Sequence, residues 1–124
     1  MPVAGGGGGP IITLTAGRGA LVDGSVVNSS SKEASMLFHS VTMITPEVTA
    51  LEATNGARVE WLDSFTYFAE KGIHLTQGDQ GFAGLGTRFG AELRSIGSAN
   101  VYGTYGAVAD GANTIAYLIN HNFA

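Results

Sequence analysis

From Ala57 the chain alternates: Ala57, Val59, Trp61, Phe65 and Tyr67 share one parity, while Arg58, Glu60, Ser64 and Thr66 hold the other. Successive side chains of an extended backbone point to opposite faces, so a period of two predicts strand and excludes helix here. Asp63 falls in the apolar parity and fits a corner between two strands. Near Ala99 the wording returns, since Ala99-Asn100-Val101-Tyr102 resembles Ala57-Arg58-Val59-Glu60 at an offset of 42 (99 − 57). Half of that offset, 21, is the length of one coil of a parallel β-helix.

The rest of the chain is punctuated in the same way. Gly5 to Gly9 predict a flexible arm over 1–10, because glycine loses the most backbone freedom when fixed. Ile11 to Thr15 is a short β-branched run that predicts a strand. Two extended pieces are expected around Asp23-Gly24, followed by a polar loop from Asn28 to Lys32. Ser35 to Thr45 predicts one strand with both faces partly buried. Pro46-Glu47 opens either a helical turn, with Thr45 as its cap, or a further strand. Gln77 to Gly90 is glycine-rich and matches no repeat, so it is expected as an excursion. Ala107 to Asn113 reads as a turn, and Thr114 to Ile119 as a buried strand a few residues before Phe123-Ala124, which leaves its edge to be covered by something else. Short β runs separated by single Gly, Asn or Asp corners favour an all-β chain of the parallel β-helix, or β-solenoid, kind, with a β-sandwich or jelly roll as the alternative. One β-rich domain is expected over 11–124, whole or cut from a larger protein.

Composition narrows the function. Six Lys+Arg against ten Asp+Glu give a net charge of −4, the wrong sign for a general nucleic-acid binder. Only 13% of residues are charged while 44% are hydrophobic, too few charges to cover a free surface, so an assembled protein or a fragment is implied. The chain has no cysteine, which removes disulfides, thiolate nucleophiles and cysteine metal sites. No secretory signal is visible, and no apolar stretch approaches the roughly 20 residues of a membrane span.

Candidate chemistry is sparse. His39, His74 and His121 show no metal-ligand spacing, and no nucleophile elbow accompanies the serines. Glu60 and Asp63 are the nearest pair of carboxylates for glycan cleavage, but their opposite parity parts them unless the chain turns, and Arg58 and Lys71 offer ion-pair partners. Gly81 to Gly86 lacks the lysine and spacing of a phosphate loop. Trp61, Tyr67, Tyr102, Tyr105 and Tyr117 form a sugar-binding strip only if they face outward, and otherwise belong to the core.

Two blocks carry a resemblance. Gly56-Ala57-Arg58-Val59-Glu60-Trp61-Leu62-Asp63-Ser64-Phe65-Thr66-Tyr67-Phe68, and the run from Gly90 to Ala112 that includes Ser98-Ala99-Asn100-Val101-Tyr102-Gly103-Thr104-Tyr105, resemble segments of large virion structural proteins of contractile-tailed phages infecting cyanobacteria. The likeness extends over residues 55–124 and leaves 1–54 unassigned. It implies a repetitive β-solenoid in a tail, fibre or baseplate, located in the virion, and it carries over no catalytic residue.

The expectation is therefore a non-enzymatic virion module that assembles with copies of itself or other virion proteins, without cofactor, metal, nucleic acid or membrane. Val59, Trp61, Phe65, Tyr67, Val101 and Tyr105 are the expected core, and Ile115, Leu118 and Ile119 the expected interface. A module that binds or depolymerises host surface polysaccharide and a filament-forming surface protein are the alternatives.

Overall fold

The computed structural model describes residues 17–29, 32–82 and 88–124. The arm at 1–10, the strand expected over Ile11 to Thr15 and most of Gly81 to Gly86 lie outside them. The described chain is mostly β: β1 (Arg18–Asp23), α1 (Gly24–Val27), β2 (Ser35–His39), β3 (Thr42–Ile44), β4 (Thr49–Thr54), β5 (Arg58–Leu62), β6 (Phe65–Tyr67), β7 (Lys71–Phe82), β8 (Arg88–Gly90), β9 (Glu92–Ile96), β10 (Ala99–Val101), β11 (Tyr105–Asp110), β12 (Ile115–Ile119) and β13 (Asn122–Phe123).

These strands form three sheets, ordered β1-β4-β7-β11, β2-β5-β9-β12 and β3-β6-β10-β13. Every pairing within those orders is parallel, and the chain visits the first, second and third sheet in turn, four times. Each visit contributes one strand to each sheet, so every inner strand pairs with the visits before and after it. Where nothing is inserted the register repeats at 22 or 23 residues, as in Thr49↔Lys71 (71 − 49 = 22) and Glu92↔Ile115 (115 − 92 = 23).

The corner from the second to the third sheet is the most regular part. Ser40, Asp63, Gly97 and Asn120 occupy it in successive circuits, with φ of 57, 46, 68 and 49°. One residue in the left-handed region turns the backbone sharply, and Asn, Asp and Gly bear that conformation at least cost. Asp63 is thus a corner, as its sequence context predicts. A side chain at Gly97 would lie 2.6 Å from Asp63 Oδ1.

Two excursions leave the sheets, both between the first and second sheet. After β1, α1 begins with Asp23 as its cap, accepting from Ser25 N–H at 2.9 Å. Burial pushes the Asp23 carboxyl up, but hydrogen bonds from the Ser25 hydroxyl, the Asn55 amide and the Ser25 backbone outweigh it and hold it below the ordinary 3.8. After Gln77, β7 continues and returns antiparallel as β8, the excursion that the glycine-rich stretch predicts.

Several expectations are corrected. Ser25-Val26-Val27 is a helical turn instead of extended chain, because Asp23 caps it. Pro46 and Glu47 form a turn with Glu47 at φ 67°, and β4 follows where a helix was the other option. Ser35 to Thr45 is two strands, broken at Ser40. Tyr105 to Asp110 is strand, leaving only Gly111 to Asn113 as turn. The 42-residue offset joins strands of different sheets: Ala99 pairs with Phe65, while Glu92 N–H donates to Ala57 O. The β7–β8 excursion stretches that circuit to 34 residues (92 − 58), which no single sequence period describes.

The core lies between the three sheets. Val22, Leu51, Ala53, Val59, Trp61, Ile73, Leu75 and Leu93 fill it, and Phe38 packs on Trp61 with ring centroids 5.5 Å apart. Val59 and Trp61 are buried as expected. Phe65, Tyr67 and Val101 are only half-buried, and Tyr105 is 52% exposed. The left-handed corner explains the first three: it shifts the parity by one, so Thr66 and Asn100 face inward in the third sheet and their neighbours Phe65, Tyr67 and Val101 face out.

Candidate assembly surfaces

Neighbouring strands align side chains into columns. One inward column of the second sheet runs Phe38, Trp61, Ser95, Leu118, and the inward column of the third sheet runs Met43, Thr66, Asn100, Phe123. In the inner circuits these positions are closed to solvent, whereas Leu118 is half-exposed and Phe123 is 54% exposed. The expected interface residues Ile115, Leu118 and Ile119 are thus accessible, and the strand that carries them is less buried than its sequence suggests.

Outward columns divide by charge. Leu37, Glu60, Arg94 and Tyr117 share one column of the second sheet, and Ser35, Arg58, Glu92 and Ile115 share another. Arg94 Nε donates to Glu60 Oε2 at 2.8 Å. On the first sheet, Glu52 pairs with Arg18 at 3.0 Å and with His74 at 3.5 Å. On the second sheet, therefore, the Arg and Glu side chains belong to the two inner circuits, and the outermost strands show apolar groups on both faces. Leu37, Tyr117 and Ile119 are the most exposed of them, and Leu21 on β1 of the first sheet and Ile44 on β3 of the third are exposed as well. Strands apolar on both faces are characteristic of positions buried on both sides.

Several polar groups inside the fold are satisfied in ladders. Val41 N–H donates to Ser64 Oγ at 3.1 Å, and Ser64 N–H donates to Ser98 Oγ at 3.0 Å, so each hydroxyl serves the preceding circuit's corner. His121 takes the same position in the last circuit. Its Nε2 faces Asn100 Oδ1, its Nδ1 lies 2.7 Å from Ser95 Oγ, and Asn100 Nδ2 donates to Thr66 Oγ1 at 2.6 Å. Burial lowers the His121 pKa below 6.5, favouring a neutral ring that donates from Nε2 and accepts at Nδ1. The Ser95–His121–Asn100 chain resembles a nucleophile, base and orienting group. Ser95 has no exposed surface, so no substrate reaches its hydroxyl and the chain is a buried network instead.

The other sequence candidates are scattered. Glu60 is held by Arg94, and Asp63 pairs with His39 at 3.4 Å, in place of the expected Arg58 and Lys71. Among the described residues no three His, Cys, Asp or Glu side chains cluster as a metal site. No helix among them is long and apolar enough to cross a membrane. Of the five aromatic residues considered for sugar binding, Trp61 is core. Tyr102 is 70% exposed and stacks on Phe68 with centroids 6.0 Å apart, a pair that parity did not reveal because both sit at left-handed corners. A shallow hollow of about 390 Å³ lined by Arg58, Glu92, Arg94 and Tyr117 lies beside the ion pairs.

No family model, curated protein or solved structure matches this chain.

Proposed function

We propose that the three sheets are the faces of a parallel β-helix, and that the chain is a non-enzymatic structural module of a phage particle, a tail, fibre or baseplate component. It works by assembling with copies of itself or with other virion proteins. The observation that carries this reading is that, among the described residues, the outer edges of the first and last circuits have no strand partner and the outermost strands of the second sheet carry apolar groups on both faces. Burying apolar area contributes roughly 25 cal/mol per Å², and an exposed edge supplies backbone donors and acceptors to a neighbour. All-parallel pairing within the three sheets supports the β-helix over a sandwich or jelly roll, which are built from antiparallel strands. The resemblance of residues 55–124 to cyanophage virion proteins supports the location.

Light scattering and negative-stain microscopy of the purified protein test the assembly, with multimers expected; a stable monomer at every concentration refutes it. Gold-labelled antibody on cyanophage particles tests the location, and unlabelled virions refute it. The stacked Phe68–Tyr102 pair favours one second reading, a surface that binds host polysaccharide. A glycan array with wild-type protein and Tyr102→Ala tests it, and no bound glycan ends it.

A further inference from the structure

Among the described residues the two outermost circuits match one another closely in strand length. On the first sheet β1 and β11 have six residues each, on the second β2 and β12 have five each, and on the third β3 and β13 have three and two. Because every strand of these three sheets runs in the same sense, a second copy moved along the stacking direction meets β11, β12 and β13 with its own β1, β2 and β3, in parallel. A two-fold arrangement does not achieve this. Turning a copy over reverses the order of the three faces, so at most one sheet meets itself, and five-residue β12 then faces two-residue β13.

The columns agree with translation. Continued by one copy, Tyr117 meets Leu37, Leu118 meets Phe38, and Phe123 meets Met43, so apolar groups face apolar groups inside and out. The last circuit, residues 105–124, offers 20 residues, and interfaces that bury roughly 800 Å² per partner use about 20 to 30 a side. Asp110 is the only charged residue in it, and it continues the column of Asp23, whose carboxylate is tied to Ser25 and Asn55 of its own copy. Helix α1 packs against β7, two strands away in the sheet, and so lies along the side of the stack.

We propose, resting on the reading of the chain as an assembling module, that its partner is a second copy of itself joined head to tail, β11, β12 and β13 of one copy pairing in parallel with β1, β2 and β3 of the next. Such a heterologous contact does not close on itself and extends into a filament.

The absence of cysteine makes a direct test possible. Leu37 and Tyr117 are 62% and 53% exposed, so a cysteine at either leaves the core intact. Paired strands lie about 4.8 Å apart, within the Cα separation a disulfide spans. Leu37→Cys and Tyr117→Cys proteins are mixed under oxidised glutathione, and the double variant is oxidised alone. Head-to-tail joining yields the mixed dimer in excess over either homodimer, and a ladder of multimers from the double variant. Leu118→Cys, one residue out of register and facing inward, does not couple to Leu37→Cys. Homodimers in excess overturn the head-to-tail arrangement while leaving assembly standing. Wild-type protein that scatters as a monomer overturns both.

Discussion

Asn100 donates through Nδ2 to Thr66 Oγ1 across neighbouring strands of the third sheet, and its other amide atom faces His121. Both partners are inward-facing, so the bond is made where water cannot replace it. Asn100→Ala leaves the Thr66 hydroxyl and the His121 ring short of a partner, and about 1–3 kcal/mol of stability is expected to be lost. Urea unfolding measures it, and the double variant Thr66→Val/Asn100→Leu is expected to lose less than Asn100→Ala if the unpaired hydroxyl is the cause.

Trp61 is the only tryptophan and is fully buried against Phe38. Trp61→Ala is expected to cost about 3–5 kcal/mol through the cavity it leaves. Among the described residues Trp61 Nε1 has no hydrogen-bond partner, so Trp61→Phe sacrifices volume alone and is expected to cost less. Blue-shifted fluorescence of the wild type that moves red on unfolding reports the burial directly.

Gly24 shows a different constraint. A Cβ there would collide with Asn55 O and stand 2.7 Å from Ala57 N, both backbone atoms that cannot swing away. Gly24→Ala is expected to destabilise by about 1–3 kcal/mol or more, as overpacking does. Thermal melting of Gly24→Ala beside Ser25→Ala separates the clash from loss of the Ser25 hydroxyl bond to Asp23.

His121 makes stability depend on pH. The folded pKa lies below 6.5, so the unfolded chain binds the proton more readily. Stability present above about pH 6.5 is therefore lost as the pH falls through that value, until the folded ring also protonates. Urea midpoints between pH 8 and pH 5 should fall more steeply for wild type than for His121→Gln. Equal slopes would show that the ring is not held neutral.

Alternation placed Val59 and Trp61 inside and Asp63 at a corner, and glycine density marked the β7–β8 excursion. Those signals are local, and they survive because one strand or one turn suffices to express them. Parity failed beyond Asp63, since a left-handed residue shifts the inward set from odd to even numbers and makes Thr66 and Asn100 interior. Ser40 hid a corner because serine is an ordinary strand residue, and Phe68 and Tyr102 hid two more behind aromatic side chains. The polar ladder of Ser64, Ser98 and His121 was invisible, because its members are neighbours only after two circuits have stacked.

Both excursions hang from the same side of the molecule, and Gly24 and Gly78 each approach Asn55 closely there. Length added at that corner alters neither the pairing registers nor the outermost strands: β5 still meets β9 in step although 34 residues separate their first pair. One flank thus acts as a tolerant margin where bulk can be inserted or removed, while the spacing of the paired strands stays fixed and every lengthened variant keeps the same outermost strands.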